Sequence, residues 1–145
     1  MQRLTLVCLL FIFTLPLLAQ EGFYNLTIFH TDNLRGANQS DEGIGGVAKH
    51  ATIIADARVE NVLLLDGGDR YINPTHALGN AQIMNTLGYD AMTVGNHSFN
   101  GGNEGFSNFL DAINFPILAA NIDFSASPIL AGRVAAYIVI ERGGE

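Results

Sequence analysis

Three short apolar runs each stop abruptly at a cluster of Asp, Asn and His, and this recurrence constrains the fold more than any other feature. Residues 26–30 (LTIFH) run into Thr31, Asp32 and Asn33. Residues 62–65 (VLLL) run into Asp66, Gly67, Gly68 and Asp69, and residues 91–94 (AMTV) into Gly95, Asn96 and His97. Helix-like periodicity fills the intervals, and strands alternating with helices predict a parallel sheet with helical crossovers. In open α/β sheets ligands gather beyond the carboxyl ends of the strands. The three clusters are therefore expected to share one rim and to offer it potential metal ligands.

In detail, residues 24–30 read as a strand and residues 31–43 as a polar loop. Residues 44–57 read as a helix whose inner face carries Val47, Ala51, Ile54 and Ala55. Residues 62–65, wholly apolar, fit a strand covered on both faces. A second helix is predicted over 75–87 with Gly88 as its C-cap. A third strand follows over 91–94, a third helix over 103–113, a fourth strand over 117–120 and a last strand over 134–140. Tyr71, Phe99 and Phe106 read as core or loop anchors. His50 and His76 read as surface or packing histidines.

A chain of 145 residues supports one domain with a modest core. Residues 1–20 have the form of a secretory signal: Arg3, then an almost unbroken apolar stretch, then Leu17 and Ala19 before a cleavage point. Residues 21–145 form the expected mature domain, and secretion is the expected destination. The lone cysteine, Cys8, lies within the leader, so burial rather than a disulfide has to stabilise the mature chain. The net charge of −7 and the lack of any Lys/Arg cluster argue against a nucleic-acid or anionic-membrane surface. Three Asn-x-Ser/Thr sequons begin at Asn25, Asn38 and Asn96. Asn38, in a polar loop, is the expected glycan acceptor, whereas Asn96 is expected to be shut inside a tight turn.

Taken singly, each cluster has two readings. Asp66 to Asp69 makes either a simple Asp/Gly turn or a carboxylate rim that bridges divalent cations. Gly95-Asn96-His97 makes either a capped turn or a neutral oxygen ligand beside a histidine that serves as ligand or general acid. His30 to Gly36 makes either a polar loop or a strand end with Asp32 or Asn33 facing the rim.

Taken together, HT-x-x-L-x-G, LLLDGGD and LGYDAMTVGNH-x-F resemble the secreted 5′-nucleotidase and apyrase family of calcineurin-like metallophosphoesterases. Gly45 to Lys49 and the FPILAAN stretch that ends at Asn121 resemble further segments of that family. The resemblance implies part of an αββα phosphoesterase domain and two divalent metal ions (Zn, Mn, Mg or Ca). It also implies a nucleotide substrate: AMP, ADP or ATP. It puts Asp69 on the bridging carboxylate, Asn96 and Asn33 on metal-ligand positions, and His97 on the histidine that contacts phosphate and assists the leaving group. Arg70, where the family has a small or polar residue, is expected to bind phosphate or stand in for a cation.

Several positions depart from the family pattern. Its Asp after the first strand falls on Asn33 and its His on Arg35. Asp32 keeps a carboxylate one position early, facing the opposite way in an extended chain. Arg35 is always cationic and has no lone pair to offer. A unit charge 4 Å from a divalent ion repels it by roughly 8 kcal/mol at intermediate dielectric. Ser98 and Asn100 replace acidic residues of the pattern. The chain also stops before two later histidines and a base-stacking domain. The expectation is an impaired hydrolase, with a secreted inactive nucleotide- or protein-binding homologue, or a gene fragment, as alternatives.

Overall fold

A computed structural model describes residues 23–39, 45–57 and 61–144. The expected leader, Cys8 and residues 40–44 lie outside the described residues. Four strands form one parallel sheet in the order β1-β2-β3-β4: β1 Thr27–Thr31, β2 Val62–Asp66, β3 Ala91–Thr93 and β4 Ile117–Leu118. Each crossover carries a helix: α1 Val47–Ala57, α2 Ala77–Leu87 and α3 Gly102–Ala112. This is the expected α/β architecture, with all four carboxyl ends on one side.

Register settles which strand residues face the helices. Phe29 pairs with Leu64, Asp66 with Met92, and Met92 with Ile117. Side chains alternate along a strand, so Phe29, Leu64, Asp66, Met92 and Ile117 share a face. Leu64, Met92 and Ile117 are buried there, with Phe29 packed against them. The opposite face holds Ile28, His30, Leu63 and Leu65. Ile28 is 57% exposed and Leu63 and Leu65 are only half-buried, so an apolar sheet face stays partly open.

The helices dock by stripes of matching period. On α2, Ala77, Asn80, Ala81, Met84 and Leu87 are buried at helical spacing. Gly88 caps it in the left-handed conformation, its N–H donating to the carbonyls of Met84 and Asn85, as expected. On α3, Phe106 and Phe109 are fully buried. Phe106 packs edge-on to Phe99 at 5.2 Å, and Tyr71 lies 5.1 Å from Phe109. These aromatics anchor the core.

Two local expectations need correcting. Ala55 is exposed: Val47, Ala51 and Ile54 already complete the inward stripe of α1, and Ala55 lies beyond its edge. Residues 134–140 form no strand. Ala135 alone bridges Leu118 in parallel, while Tyr137 and Val139 are exposed. β4 has only two residues, so it offers no ladder for a longer partner to follow.

Candidate active-site rim

The segments after β1 and β2 are tied together by main-chain bonds before any side chain enters. Asn33 N–H donates to Gly68 O at 3.1 Å, Arg35 N–H to Asp69 O at 3.0 Å, and Gly36 N–H to Arg70 O at 2.8 Å. The 32–36 segment thus lies alongside the 67–70 turn. Asn33, Arg35 and Asp69 all take left-handed backbone angles, φ 54°, 51° and 53°. Non-glycine residues rarely adopt these, and such strain concentrates at functional sites.

Two glycines allow the second and third clusters to touch. Gly68 has φ 101°, and a methyl there would lie 2.8 Å from Gly95 N. A methyl on Gly95 would lie 2.5 Å from Asp69 N and closer still to its carboxylate. With no Cβ in the way, Asp69 Oδ1 accepts the His97 N–H at 2.8 Å. One carboxylate oxygen is thereby committed to the turn after β3. Asp69 and His97, chosen from the sequence, do converge. Asn96 lies between them in the chain, as the first residue of the 3-10 turn Asn96–Phe99, and is exposed. The expectation that this sequon is shut away is therefore wrong: the turn presents Asn96 outward.

The His97 ring has a defined partner. Asn100 Nδ2 donates to Ile72 O at 2.7 Å, which fixes the orientation of the amide. The same nitrogen sits 3.1 Å from His97 Nδ1. An amide nitrogen can only donate, so Nδ1 accepts and the neutral ring carries its proton on Nε2. Nε2 is then a donor, suited to a phosphate or leaving-group oxygen. Sequence reasoning noted Asn100 only as a departure; its part in setting the tautomer emerges from the two contacts together.

At the β1 corner, Arg35 Nε donates to Asn33 Oδ1 at 2.6 Å. The oxygen that would face a cation is already shared with a guanidinium. Asp32 lies on the other side, with His30. A methyl on Gly67 would come within 2.5 Å of Asp32 Oδ1 and 3.1 Å of His30 Nε2. Among the described residues, no group of three or more His, Cys, Asp or Glu is placed to hold a metal ion. With a cation at one corner and one oxygen of Asp69 occupied, the described residues do not fit a dinuclear metal centre.

Behind the rim, Asp66 is 3% exposed. Its carboxylate accepts from Thr31 Oγ1 at 2.6 Å and from Gly68 N–H at 2.9 Å, and Thr31 Oγ1 also meets the Tyr89 hydroxyl at 2.7 Å. Burial pushes the Asp66 pKa above 3.8, and the Thr31 and Gly68 bonds and the Arg70 charge pull it back only in part. A raised native pKa means that the folded state holds this proton more tightly. The stabilisation is present below 3.8 and is lost as pH rises through the folded value. Asp66→Asn keeps the Gly68 bond and stays neutral. It is expected to gain stability relative to wild type at pH 7 and to lose that advantage at pH 4, measured by urea unfolding at each pH.

Arg70 does not turn toward the rim. Its side chain is 1% exposed, and Nη2 donates to Asn38 Oδ1 at 3.2 Å. Asn38 in turn donates from Nδ2 to Asn80 Oδ1 at 3.2 Å. The amide nitrogen that a glycan would occupy is therefore engaged. The exposed Asn25 is the more open sequon.

With this geometry in view, comparison with known proteins is decisive. Over 90% of its length the chain is 39% identical to 5′-nucleotidase of Rattus norvegicus. It is 38% identical to an apyrase of Tabanus yao over 79% of its length. The chain belongs to the 5′-nucleotidase and apyrase family. It spans about a quarter of those relatives, 26% of the rat protein and 22% of the apyrase. Among solved structures, the 5′-nucleotidase precursor of Thermus thermophilus superposes with a TM-score of 0.74 at 33% identity. That match covers 83% of this chain and 27% of the other. No protein-family profile matches. The family to which this 5′-nucleotidase relative belongs is one of hydrolases that use divalent metals, so the poor fit of its β1 corner to a metal is a property of this chain.

Proposed function

We propose that this 5′-nucleotidase relative binds the phosphate of a nucleotide at the Asp69–His97 rim and hydrolyses it poorly or not at all. The contact between Arg35 Nε and Asn33 Oδ1 carries the reading, because it sets a permanent cation against the position where the family pattern calls for an anionic ligand. In this proposal Asp69, Asn96 and Asn33 are the family's metal-ligand positions, and Asn33 is the disabled one. His97 directs its Nε2 proton at a phosphate oxygen. The substrate class is AMP, ADP or ATP, and the negative chain is expected to attract them only through local positive groups such as Arg35.

Secretion is part of the proposal and rests on the leader-like residues 1–20. Among the described residues no helix is long and apolar enough to cross a membrane. A second reading, a non-hydrolytic nucleotide-binding homologue, is favoured by the same Arg35–Asn33 contact and differs only in how complete the loss is.

Phosphate release from AMP in MnCl2 tests the proposal. The expected rate lies within about twofold of the protein-free control. Robust turnover that EDTA abolishes and His97→Ala removes would overturn the impaired reading. Absence of any AMP binding by calorimetry would overturn both readings.

A further inference from the structure

The Arg70 guanidinium is the one buried cationic side chain among the described residues, and it lacks the partners such a group needs. Nε and Nη1 are both buried without a hydrogen-bond partner. The described residues form two ion pairs, Arg133 with Asp111 and Arg142 with Asp90, and Arg70 is in neither. The nearby buried carboxylate of Asp66 is already committed to Thr31 and Gly68. Buried donors in native proteins are nearly always satisfied, and the charge of Asp66 acts on Arg70 without supplying a hydrogen bond to Nε or Nη1. Such a group points to a missing anion.

The path for that anion runs through Asn38. The third guanidinium nitrogen, Nη2, makes only a 3.2 Å bond to Asn38 Oδ1. Asn38 is half-buried and forms part of the wall of a cleft of about 530 Å³, together with Gly36, Thr75, His76 and Asn80. Asn80 is held in place, its Nδ2 donating to His76 O at 2.9 Å. Asn38 thus stands between the guanidinium, which is not itself part of the lining, and the cleft; an anion reaches Nη2 only where the Asn38 side chain turns away and gives up its bonds to both Arg70 and Asn80. Among the described residues the lining carries no carboxylate to compete for Arg70.

We propose that this cleft between the 36–39 loop and the start of α2 is an anion site, in which a phosphate-type oxyanion takes the place of Asn38 Oδ1 on Arg70. The site abuts the Asp69–His97 rim and is separate from it, and it does not depend on the rim's being hydrolytic. The oxyanion is either free phosphate or the phosphoryl group of a nucleotide.

Thermal unfolding of the full chain tests this, in inorganic phosphate or AMP against chloride at matched ionic strength. Wild type is expected to gain about 5 °C in Tm as phosphate rises to saturation. Asn38→Asp places a carboxylate beside Nη2; it should raise Tm in chloride and abolish the phosphate response. Arg70→Met removes the charge at similar volume; it should unfold no lower than wild type in chloride and also ignore phosphate. Of the part of each shift that Asn38→Asp abolishes, a larger share with AMP than with phosphate assigns the oxyanion to a nucleotide, and equal shares assign it to free phosphate. In the Asp69→Asn background, Asn38→Asp should still abolish the same share of the phosphate response, which separates this site from the rim. A flat wild-type response, or one that survives unchanged in Asn38→Asp, overturns the proposal.

Discussion

Gly95→Ala is expected to lower stability by about 3 kcal/mol and Tm by about 10 °C, although the substitution adds a single methyl group. The added Cβ would lie 2.5 Å from Asp69 N, a main-chain atom that cannot swing aside. Relief requires the β2 and β3 turns to part, which breaks the Asp69 bond to His97 N–H and leaves a half-buried donor without its partner. Gly68→Ala should cost at least as much. Its methyl meets Gly95 N at 2.8 Å, and its φ of 101° is one that alanine adopts only with strain. Gly79→Ala is the control. It lies exposed within α2, a methyl there meets nothing within 4 Å, and helix propensity alone predicts a gain of up to about 1 kcal/mol. Urea denaturation of the three variants checks the set. Equal small effects at all three positions would mean that the turns do not press together.

The second large effect concerns cations. The double change Asn33→Asp with Arg35→His is expected to raise Mn2+ affinity at least 100-fold, equivalent to about 2.7 kcal/mol. Two causes add. A carboxylate replaces a neutral amide whose oxygen is now held by Arg35 Nε at 2.6 Å. An imidazole with a lone pair replaces a guanidinium that has none and that repels any cation nearby. Arg35→Ala removes the repulsion without supplying a ligand and should recover about tenfold. Isothermal calorimetry distinguishes these steps, and no gain in the double variant would remove Arg35 as the cause of the poor fit.

The parallel sheet was legible because each strand is a compact apolar run and each crossover carries helical spacing. The convergence of Asp69 with the His97 turn was legible for a related reason: parallel strands put their carboxyl ends on one side, and glycine stands where the turns meet. Other features depend on pairings too distant in sequence for local pattern to report. Residues 134–140 are apolar enough for a strand, but β4 is too short to pair with them. The direction of Arg70 is set by Asn38 and Asn80, more than thirty residues before it and ten after. The engagement of the Asn38 amide, which defeats its reading as the open sequon, follows from the same contacts. The tautomer of His97 depends on Ile72 O as well as Asn100. Nothing near His97 in sequence announces that carbonyl.

The rim account turns on whether residues 33 and 35 face the same ion as Asp69. Calorimetric titration of Mn2+ into the Asn33→Asp, Arg35→His variant, with and without Asp69→Asn, decides it. Asp69→Asn is expected to erase at least tenfold of the restored affinity. Restored binding indifferent to Asp69 would place that ion elsewhere and contradict the shared rim.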